Sequence, residues 1–310
     1  MPELDGIGAV RELRARGHRM PVIMFSTLTE NGAKATLDAL SAGASDYVTK
    51  PSGAQALTDA LRRVGEELIP RVHALVPGRR LPVRQAQPVS PAPSRPAVTG
   101  GPVKRTVALR PREPRTTPVR AVVVGSSTGG PAALAEVVGG MTAAPPVPVA
   151  VVQHMPPVFT RQLADRLDRS GLATVSEAVD GEVMQPGRVY VAPGGHHLTM
   201  TAERGTLRAR ITDTPPVNFS RPSVDVLFRS AVAALGGDVL GVVLTGMGTD
   251  GAAGAGEIAD AGGTVLVQDE ATSVVWGMPG ATASAGNAHA QLPLADLAGA
   301  VEQVLKEGRR

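Results

Sequence analysis

From residue 120 onward, short apolar runs alternate with stretches whose apolar positions recur every three or four residues. The runs predict buried strands, and the stretches predict helices that cover a sheet. The predicted strands are residues 121–124, 147–153, 187–191, 239–244 and 264–267, and the predicted helices are residues 131–138, 159–169, 224–235 and 251–261. Period-two alternation over residues 197–211 predicts an antiparallel hairpin. The alternation of strands and helices along the chain predicts an α/β fold with a doubly wound, mostly parallel sheet.

The first 69 residues repeat this alternation on a smaller scale and predict part of a βα repeat with a parallel sheet. The predicted helices are residues 7–16, 31–41 and 55–68, and the predicted strands are residues 21–25 and 47–49. Ser26 and Lys50 follow the two strands. A hydroxyl and an ammonium at neighbouring strand ends suit a bound phosphoryl group, although a lone lysine before a proline is more often an ordinary loop residue.

A basic, proline-rich stretch separates the two patterned regions. Residues 71–120 hold eleven Lys and Arg, one acidic residue (Glu113) and ten prolines. This composition favours a semi-extended tether over a folded basic surface, with a polyanion-binding element as the alternative. We therefore predict three parts: a partial domain over residues 1–69, a linker over 70–118 and a larger α/β domain over 119–310.

Composition excludes several function classes. The chain has no cysteine, which excludes disulfides, cysteine nucleophiles and thiolate metal sites. Aromatic residues make up only 2% of the chain, so few side chains are available to stack on bases and no nucleic-acid partner is expected. No apolar run reaches the roughly 18 residues that span a bilayer, and the first twenty residues lack the pattern of a secretion signal. We predict a cytoplasmic protein that is not inserted in a membrane.

Three reactive side chains follow three different predicted strands. Ser127, His154 and Asp250 come after the strands that end near residues 124, 153 and 244. Because the carboxyl ends of parallel strands meet in one crevice, we expect these side chains to converge. A serine hydroxyl, an imidazole that removes its proton and a carboxylate that orients the imidazole are the components of nucleophilic hydrolysis.

The serine lies in a Gly-Ser-Ser-Thr-Gly sequence over residues 125–129, which fits the Gly-x-Ser-x-Gly turn between a strand and a helix. That pattern favours Ser127 over Ser126 as the nucleophile. The backbone N–H groups of Thr128 and Met247 are the expected donors to the oxygen of the attacked carbonyl. The order Ser, His, Asp differs from that of the α/β-hydrolase fold, so the turn indicates a mechanism and not membership of that fold.

Each of these features has a simpler explanation. Residues 125–130 are also compatible with a phosphate-binding or nucleotide-binding turn, His154 with the end of a strand, and Asp250 with a helix cap. Adjacent residues of a strand point to opposite faces, so His196 and His197 do not predict a metal site. Arg221 and Asp225 lie one helical turn apart and are expected either to pair or to shape the wall of the site.

The first region resembles the second half of a response-regulator receiver domain, a flavodoxin-like fold. The resemblance is carried by Met-Pro-Glu-Leu-Asp-Gly at 1–6, Ser-Thr-Leu-Thr at 26–29, Ala-Gly-Ala-Ser-Asp-Tyr at 42–47 and Thr-Lys-Pro at 49–51. It implies that Ser26 contacts the phosphoryl oxygens and that Lys50 pairs with the phosphoaspartate.

The phosphoacceptor aspartate of receivers precedes the Met-Pro pair and falls ahead of Met1, so this chain contains none. We therefore expect that the natural start lies upstream. A histidine kinase of the chemotaxis pathway is an expected partner only if a complete receiver exists, and phosphorylation is not expected to activate the chain as given.

Residues 121–304 resemble the chemotaxis protein-glutamate methylesterases. The motifs are Gly-Ser-Ser-Thr-Gly-Gly at 125–130, Gln-His-Met-Pro-Pro at 153–157, Ala-Pro-Gly-Gly at 192–195, Arg-Pro-Ser-Val-Asp at 221–225, Leu-Thr-Gly-Met-Gly-Thr-Asp-Gly at 244–251, Gln-Asp-Glu at 268–270 and Gly-Met-Pro at 277–279. The resemblance implies hydrolysis of glutamate γ-methyl esters on methyl-accepting chemotaxis receptors, deamidation of glutamines and no cofactor.

The same resemblance assigns residue roles. It implies that Ser127 is the nucleophile, His154 the base, Asp250 its orienting partner and Met247 an oxyanion donor. Two other functions remain compatible with the sequence: a catalytically silent α/β module that binds an anion, and an esterase or amidase that acts on another protein.

Overall fold

The computed structural model describes residues 5–51, 57–76 and 108–308. We call residues 5–51 and 57–76 the N-terminal segment and residues 108–308 the C-terminal segment. Most of the predicted linker, residues 77–107, lies outside the described residues. Across the described ranges, no helix is both long and apolar enough to cross a bilayer.

The N-terminal segment contains three helices and two strands. They are α1 (Gly6–Ala15), β1 (Ile23–Ser26), α2 (Glu30–Ser41), β2 (Asp46–Thr49) and α3 (Leu57–Leu75). The side chains of Asp5 and Thr29 accept hydrogen bonds from the first turns of α1 and α2, which explains where those helices begin. β1 and β2 pair in parallel, with Ser26 opposite Thr49.

Helix α3 continues through Pro70 to Leu75, past the predicted end at residue 68. A proline inside a helix removes one backbone hydrogen bond, and the tertiary contacts of the last turn of α3 offset this loss. Arg71 pairs with Asp46 of β2, and Leu75 is buried.

The C-terminal segment alternates strands and helices over most of its length. Its elements are β3 (Ala121–Ser126), α4 (Gly130–Gly139), β4 (Val149–Gln153), α5 (Phe159–Asp168), β5 (Thr174–Glu177), β6 (Arg188–Val191), β7 (His197–Glu203), β8 (Thr206–Thr212), α6 (Val224–Leu235), β9 (Val239–Val243), α7 (Ala252–Asp260), β10 (Thr264–Gln268), α8 (Met278–Ser284), β11 (Ala290–Leu292) and α9 (Leu294–Lys306).

Seven of these strands form one parallel sheet in the order β11-β10-β9-β3-β4-β6-β5. Alternate residues of β3 enter different cores, since Val122 and Val124 pack with α4, α5 and α9, whereas Val123 packs with α6, α7 and α8. Helices therefore cover both faces of the sheet, and the predicted doubly wound α/β fold is confirmed. The strand order reverses around β3, which places its carboxyl end in a crevice.

The predicted hairpin is also present. β7 and β8 pair antiparallel from His197 opposite Thr212 to Glu203 opposite Thr206. Leu198 and Met200 of β7 are buried in the same core as Phe228 of α6. The hairpin therefore lies on the α6 side of the main sheet, and the loop that follows it runs back toward the start of α6.

The N-terminal segment packs directly on the C-terminal segment. Leu37 and Leu40 of α2 belong to the same buried core as Leu163 of α5. Tyr47 of β2 stacks on Phe159 at the start of α5, with ring centroids 4.9 Å apart. Helix α2 and Tyr47 of β2 thus pack against α5, and α2 also contacts α4.

Candidate active site

The turn between β3 and α4 holds Ser127 at the carboxyl end of the central strand. Gly129 in this turn has a φ of 79°, a left-handed conformation that suits glycine. A β-carbon on Gly130 would lie 2.0 Å from the Gln153 side-chain oxygen, so only glycine fits there. The two glycines therefore allow β3 to be followed by a tight turn and then directly by α4.

The two adjacent serines have different environments. Ser126 is fully buried and its hydroxyl donates to Gln153 Oε1 at 2.7 Å. Ser127 is partly exposed, its backbone N–H donates to Thr245 O at 3.0 Å, and within the described ranges its hydroxyl has no hydrogen-bond partner. Of the two serines, only Ser127 therefore has a side-chain hydroxyl without a partner among the described residues.

His154 and Asp250 are brought together from different strands. His154 follows β4, Asp250 follows β9, and His154 Nε2 lies 2.8 Å from Asp250 Oδ2. The Asp250 side chain is 3% exposed, whereas the His154 side chain is 15% exposed. Because Asp250 holds Nε2, the ring nitrogen left for another partner is Nδ1.

The Asp250 carboxylate accepts four further hydrogen bonds. The donors are Val224 N at 2.7 Å, Asn218 Nδ2 at 2.9 Å, Ser223 Oγ at 2.9 Å and Asp225 N at 3.1 Å. Burial by itself would raise the pKa of Asp250, but the hydrogen bond and charge of His154, with the bonds from Asn218 and Val224, outweigh it and lower the pKa to about 2. Asp250 is therefore ionised and fixed in orientation.

Two backbone donors flank Ser127. In the described part of the chain, the N–H groups of Thr128 and Met247 donate to no protein acceptor. Thr128 follows the serine in the turn before α4, and Met247 lies in the loop after β9. This loop packs closely against the serine at Gly246, since a β-carbon on Gly246 would lie 2.9 Å from Ser127 Cβ. Unpaired N–H groups beside a free hydroxyl are the elements of an oxyanion hole.

The N-terminal segment closes one side of this site. The Thr128 hydroxyl donates to Asp46 Oδ2 at 2.7 Å, and Arg71 lies 3.2 Å from the same oxygen. Burial raises the pKa of Asp46, although the bonds from Thr128 and Arg71 act in the opposite direction. Ser127 and His154 line a cavity of only about 20 Å³ whose other walls include Asp46 and Tyr47.

A second cavity, of about 360 Å³, opens on the other side of His154. Its walls come from both segments: Tyr47, Thr49, Glu67, Arg71, Met155, Pro156, Pro157, Gly195, Phe219, Ser220, Arg221 and Pro222. Arg221 does not pair with Asp225. It donates to the carbonyls of Asp213 and Thr214, both at 3.2 Å, and so shapes the wall of this cavity.

The other residues singled out from the sequence have simpler environments. Ser26 Oγ donates to Gly32 O at 2.9 Å, and Lys50 N donates to Ser26 O at 2.6 Å, so the two lie together at the ends of β1 and β2. His196 bonds to Asp213, whereas His197 is buried and accepts from Ser223 N at 3.1 Å. The described residues contain no group of three His, Cys, Asp or Glu able to hold a metal ion.

Several site residues were not predicted from the sequence. Asn218 and Ser223 hold Asp250, and Gln153 links the Ser126 hydroxyl to the Ser127 carbonyl, to which its Nε2 donates at 2.9 Å. Asp46, known beforehand only as part of the receiver-like motif, contacts Thr128. Gln153 stands next to the predicted site residue His154, and Ser223 lies in the Arg-Pro-Ser-Val-Asp motif at 221–225, so the sequence offered a signal for both.

Comparison with known proteins identifies the family. A family model described as CheB methylesterase matches residues 122–301, and a response regulator receiver domain model matches residues 1–62. The chain is 53% identical over 302 residues to a protein-glutamate methylesterase/protein-glutamine glutaminase of Nocardioides sp., covering 96% of this chain and 78% of the relative. The chain belongs to the CheB methylesterase family. The resemblances stated from the sequence motifs are confirmed.

Further comparisons agree with membership of the CheB methylesterase family. A protein-glutamate methylesterase/protein-glutamine glutaminase of Trichodesmium erythraeum is 42% identical over 298 residues, which cover 96% of this chain and 81% of the relative. The crystal structure of the Thermotoga maritima CheB methylesterase catalytic domain matches with a TM-score of 0.58 and 41% identity, covering 60% of this chain and 97% of that chain.

Proposed function

We propose that this chain hydrolyses glutamate γ-methyl esters on the cytoplasmic helices of methyl-accepting chemotaxis receptors, releasing methanol and restoring the carboxylates. We also propose that it deamidates glutamine side chains, since an amide carbonyl is open to the same attack. Two relatives with over 40% identity are named for both activities. Both reactions consume only water, so we propose no cofactor.

The first half-reaction forms an acyl-enzyme. The Ser127 hydroxyl attacks the ester carbonyl while His154 Nδ1 takes its proton. The tetrahedral intermediate then collapses, the bond to the methoxy oxygen breaks, and His154 returns the proton so that methanol leaves. Asp250 stabilises the imidazolium through the 2.8 Å contact with Nε2.

The second half-reaction repeats these steps with water. His154 removes a proton from the water, whose oxygen attacks the acyl carbonyl, and the bond to Ser127 breaks as the proton returns to the serine. The negative charge that develops on the carbonyl oxygen in both halves is accepted by the N–H groups of Thr128 and Met247. Removal of one such donor typically costs about 3 kcal/mol in the barrier.

One observation carries this proposal. Ser127 has a partly exposed hydroxyl without a partner, and it lines the same cavity as an imidazole that is already bound to an ionised carboxylate. An anion-binding turn has no use for Asp250, which would repel an anion. The five hydrogen bonds to this carboxylate therefore favour hydrolysis over a catalytically silent binding module.

We further propose that the N-terminal segment limits access to the serine. A cavity of about 20 Å³ has room for about one water molecule and cannot admit an esterified glutamate side chain. Asp46, Tyr47 and Leu40 line it from the N-terminal side. Substrate entry then requires this segment to move away from the turn after β3.

A fluorophosphonate probe tests the enzyme assignment. It should label the wild-type full chain and the Ser126→Ala variant, since Ser126 is buried and bonded to Gln153. Labelling should disappear in Ser127→Ala. Absence of labelling in the wild type would support the anion-binding module, and labelling that persists in Ser127→Ala would place the nucleophile elsewhere.

A further inference from the structure

The loop that leads from the hairpin to α6 contains a tight turn with unusual backbone geometry. Val217 N donates to Ser220 O at 3.1 Å, and Ser220 N donates to Val217 O at 2.9 Å. The two central residues, Asn218 and Phe219, have φ values of 51° and 62°. Asparagine and glycine tolerate this left-handed conformation well, but an aromatic residue does not. Phe219 is therefore held in a backbone conformation that its own side chain disfavours.

Among the described residues, no packing of the Phe219 side chain compensates for this strain. The Phe219 side chain is fully exposed, whereas Phe159 and Phe228 are fully buried. A strained backbone persists where the surrounding structure imposes it, and such residues cluster at functional sites. Phe219 lines the cavity of about 360 Å³ that also includes His154. The exposed ring thus stands at the entrance to the proposed catalytic site.

Asn218 fixes this turn to the catalytic residues. Its Nδ2 donates to Asp225 Oδ2 at 2.8 Å and to Asp250 Oδ1 at 2.9 Å. The same carboxylate of Asp250 orients His154. The position of the Phe219 backbone relative to the site is therefore set by its neighbour in sequence before any substrate binds.

We propose that Phe219 is a specificity-determining residue that anchors the substrate helix. Its ring packs against an apolar side chain located three or four positions from the esterified glutamate, on the same helix face. This inference rests on the proposed function, because it assumes that the substrate is a helix bearing that ester. Aromatic residues are typical anchors in protein recognition.

The walls of the cavity that belong to the C-terminal segment suit the same occupant. Met155, Pro156 and Pro157 supply apolar surface beside His154. Arg221 donates only to backbone carbonyls and, among the described residues, pairs with no carboxylate. A helix with an apolar stripe would pack against the three apolar residues, and glutamates beside that stripe would face the Arg221 guanidinium. This complementarity favours an acidic amphipathic helix as the partner.

The test compares a large substrate with a small one. Phe219→Ala in the full chain should lower kcat/KM for methanol release from membranes that carry methylated receptors by about tenfold, the cost of losing one anchor residue. Hydrolysis of p-nitrophenyl acetate, which is too small to reach Phe219, should be unchanged. Phe219→Trp should retain most of the receptor activity. Leu172→Ala, which truncates an exposed apolar residue outside the cavity, should change neither rate.

A stability measurement separates recognition from a structural role. Phe219→Gly should raise the melting temperature, because glycine accepts a φ of 62° without strain, and it should still lose the receptor activity. Loss of both esterase activities together with a lower melting temperature would contradict the proposal, as would unchanged receptor activity in Phe219→Ala. Absence of methanol release by the wild type would instead overturn the proposed function, and this inference with it.

Discussion

The hydroxyl of Thr128 donates a 2.7 Å hydrogen bond to Asp46, so the residue next to the proposed nucleophile is held by the N-terminal segment. Asp46 is also paired with Arg71 of α3, at 3.2 Å. Two elements of the N-terminal segment therefore meet at the loop that supplies one of the proposed oxyanion donors. The proposed oxyanion donor, the Thr128 N–H, therefore belongs to a residue whose side chain is bound by the N-terminal segment.

Removal of the Asp46 side chain should increase access to the serine. A hydrogen bond to a charged group contributes about 1.5–3 kcal/mol, so Asp46→Ala should raise the rate of fluorophosphonate labelling of Ser127 by about fivefold or more. The labelling reaction is stopped at a series of times, and mass spectrometry of the full chain gives the labelled fraction and hence this rate.

Asp38→Ala is the matched control. It breaks the ion pair between Asp38 and Arg166, at 2.9 Å, which also joins the two segments. The Asp38 side chain is 41% exposed. Exposed pairs contribute little, so labelling should change by less than about twofold. An equal effect of both variants, or no effect of Asp46→Ala, would contradict the role assigned to the Asp46 contact.

The buried carboxylate of Asp250 should give the protein a pH-dependent share of its stability. The folded-state pKa of about 2 lies below the ordinary value of 3.8, so the unfolded chain binds this proton more tightly than the folded chain. The contribution, about 2 kcal/mol, is fully present above about pH 5 and is lost as the pH falls through 2.

Asp250→Asn should therefore be less stable than the wild type by about 2 kcal/mol at pH 7, and about half of this difference should be gone at pH 3. Urea unfolding of both proteins at a series of pH values provides the comparison. A difference that stayed constant from pH 7 to pH 3 would show that the ionised carboxylate is not what stabilises the fold.

Gly246 should be essential because it packs against the serine. A β-carbon at this position would lie 2.3 Å from Met278 Sδ and 2.9 Å from Ser127 Cβ. Gly246→Ala should displace Ser127 and lower kcat/KM for ester hydrolysis by roughly 100-fold, as expected for a misplacement of about 1 Å. Steady-state hydrolysis of a small ester measures this loss.

Gly299→Ala serves as the comparison for Gly246→Ala. A β-carbon on Gly299 in α9 would meet nothing within 4 Å, so this change should leave activity intact and raise stability by about 0.5–1 kcal/mol. Retention of full activity in Gly246→Ala would show that Ser127 does not depend on the loop after β9.

The parts of the fold that follow a strong local pattern could be predicted from the sequence. Helix α6 begins and ends at the predicted residues, Val224 and Leu235, because its apolar positions recur with helical spacing between polar neighbours. Helix α9 was missed although Leu294, Leu297, Val301 and Val304 carry the same spacing, so the signal was present. β5 and β11 are short edge strands of four and three residues, which carry too few positions to show a period.

The residues of the candidate site also differ in how far the sequence predicts them. Ser127, His154 and Asp250 follow predicted strands, so their convergence was expected from the topology of a parallel sheet. Asn218 and Phe219 lie in an irregular loop whose path depends on contacts with Asp250 and Asp225. No local pattern encodes such a loop, because its conformation is fixed by residues distant in sequence.

The most direct test of the central claim is methanol release from membranes that carry methylated chemotaxis receptors. The wild-type full chain and Ser126→Ala should release methanol at measurable rates, and Ser127→Ala should fall to the background of membranes without enzyme. Methanol release by Ser127→Ala at the wild-type rate would show that this serine is not the nucleophile and would contradict the account.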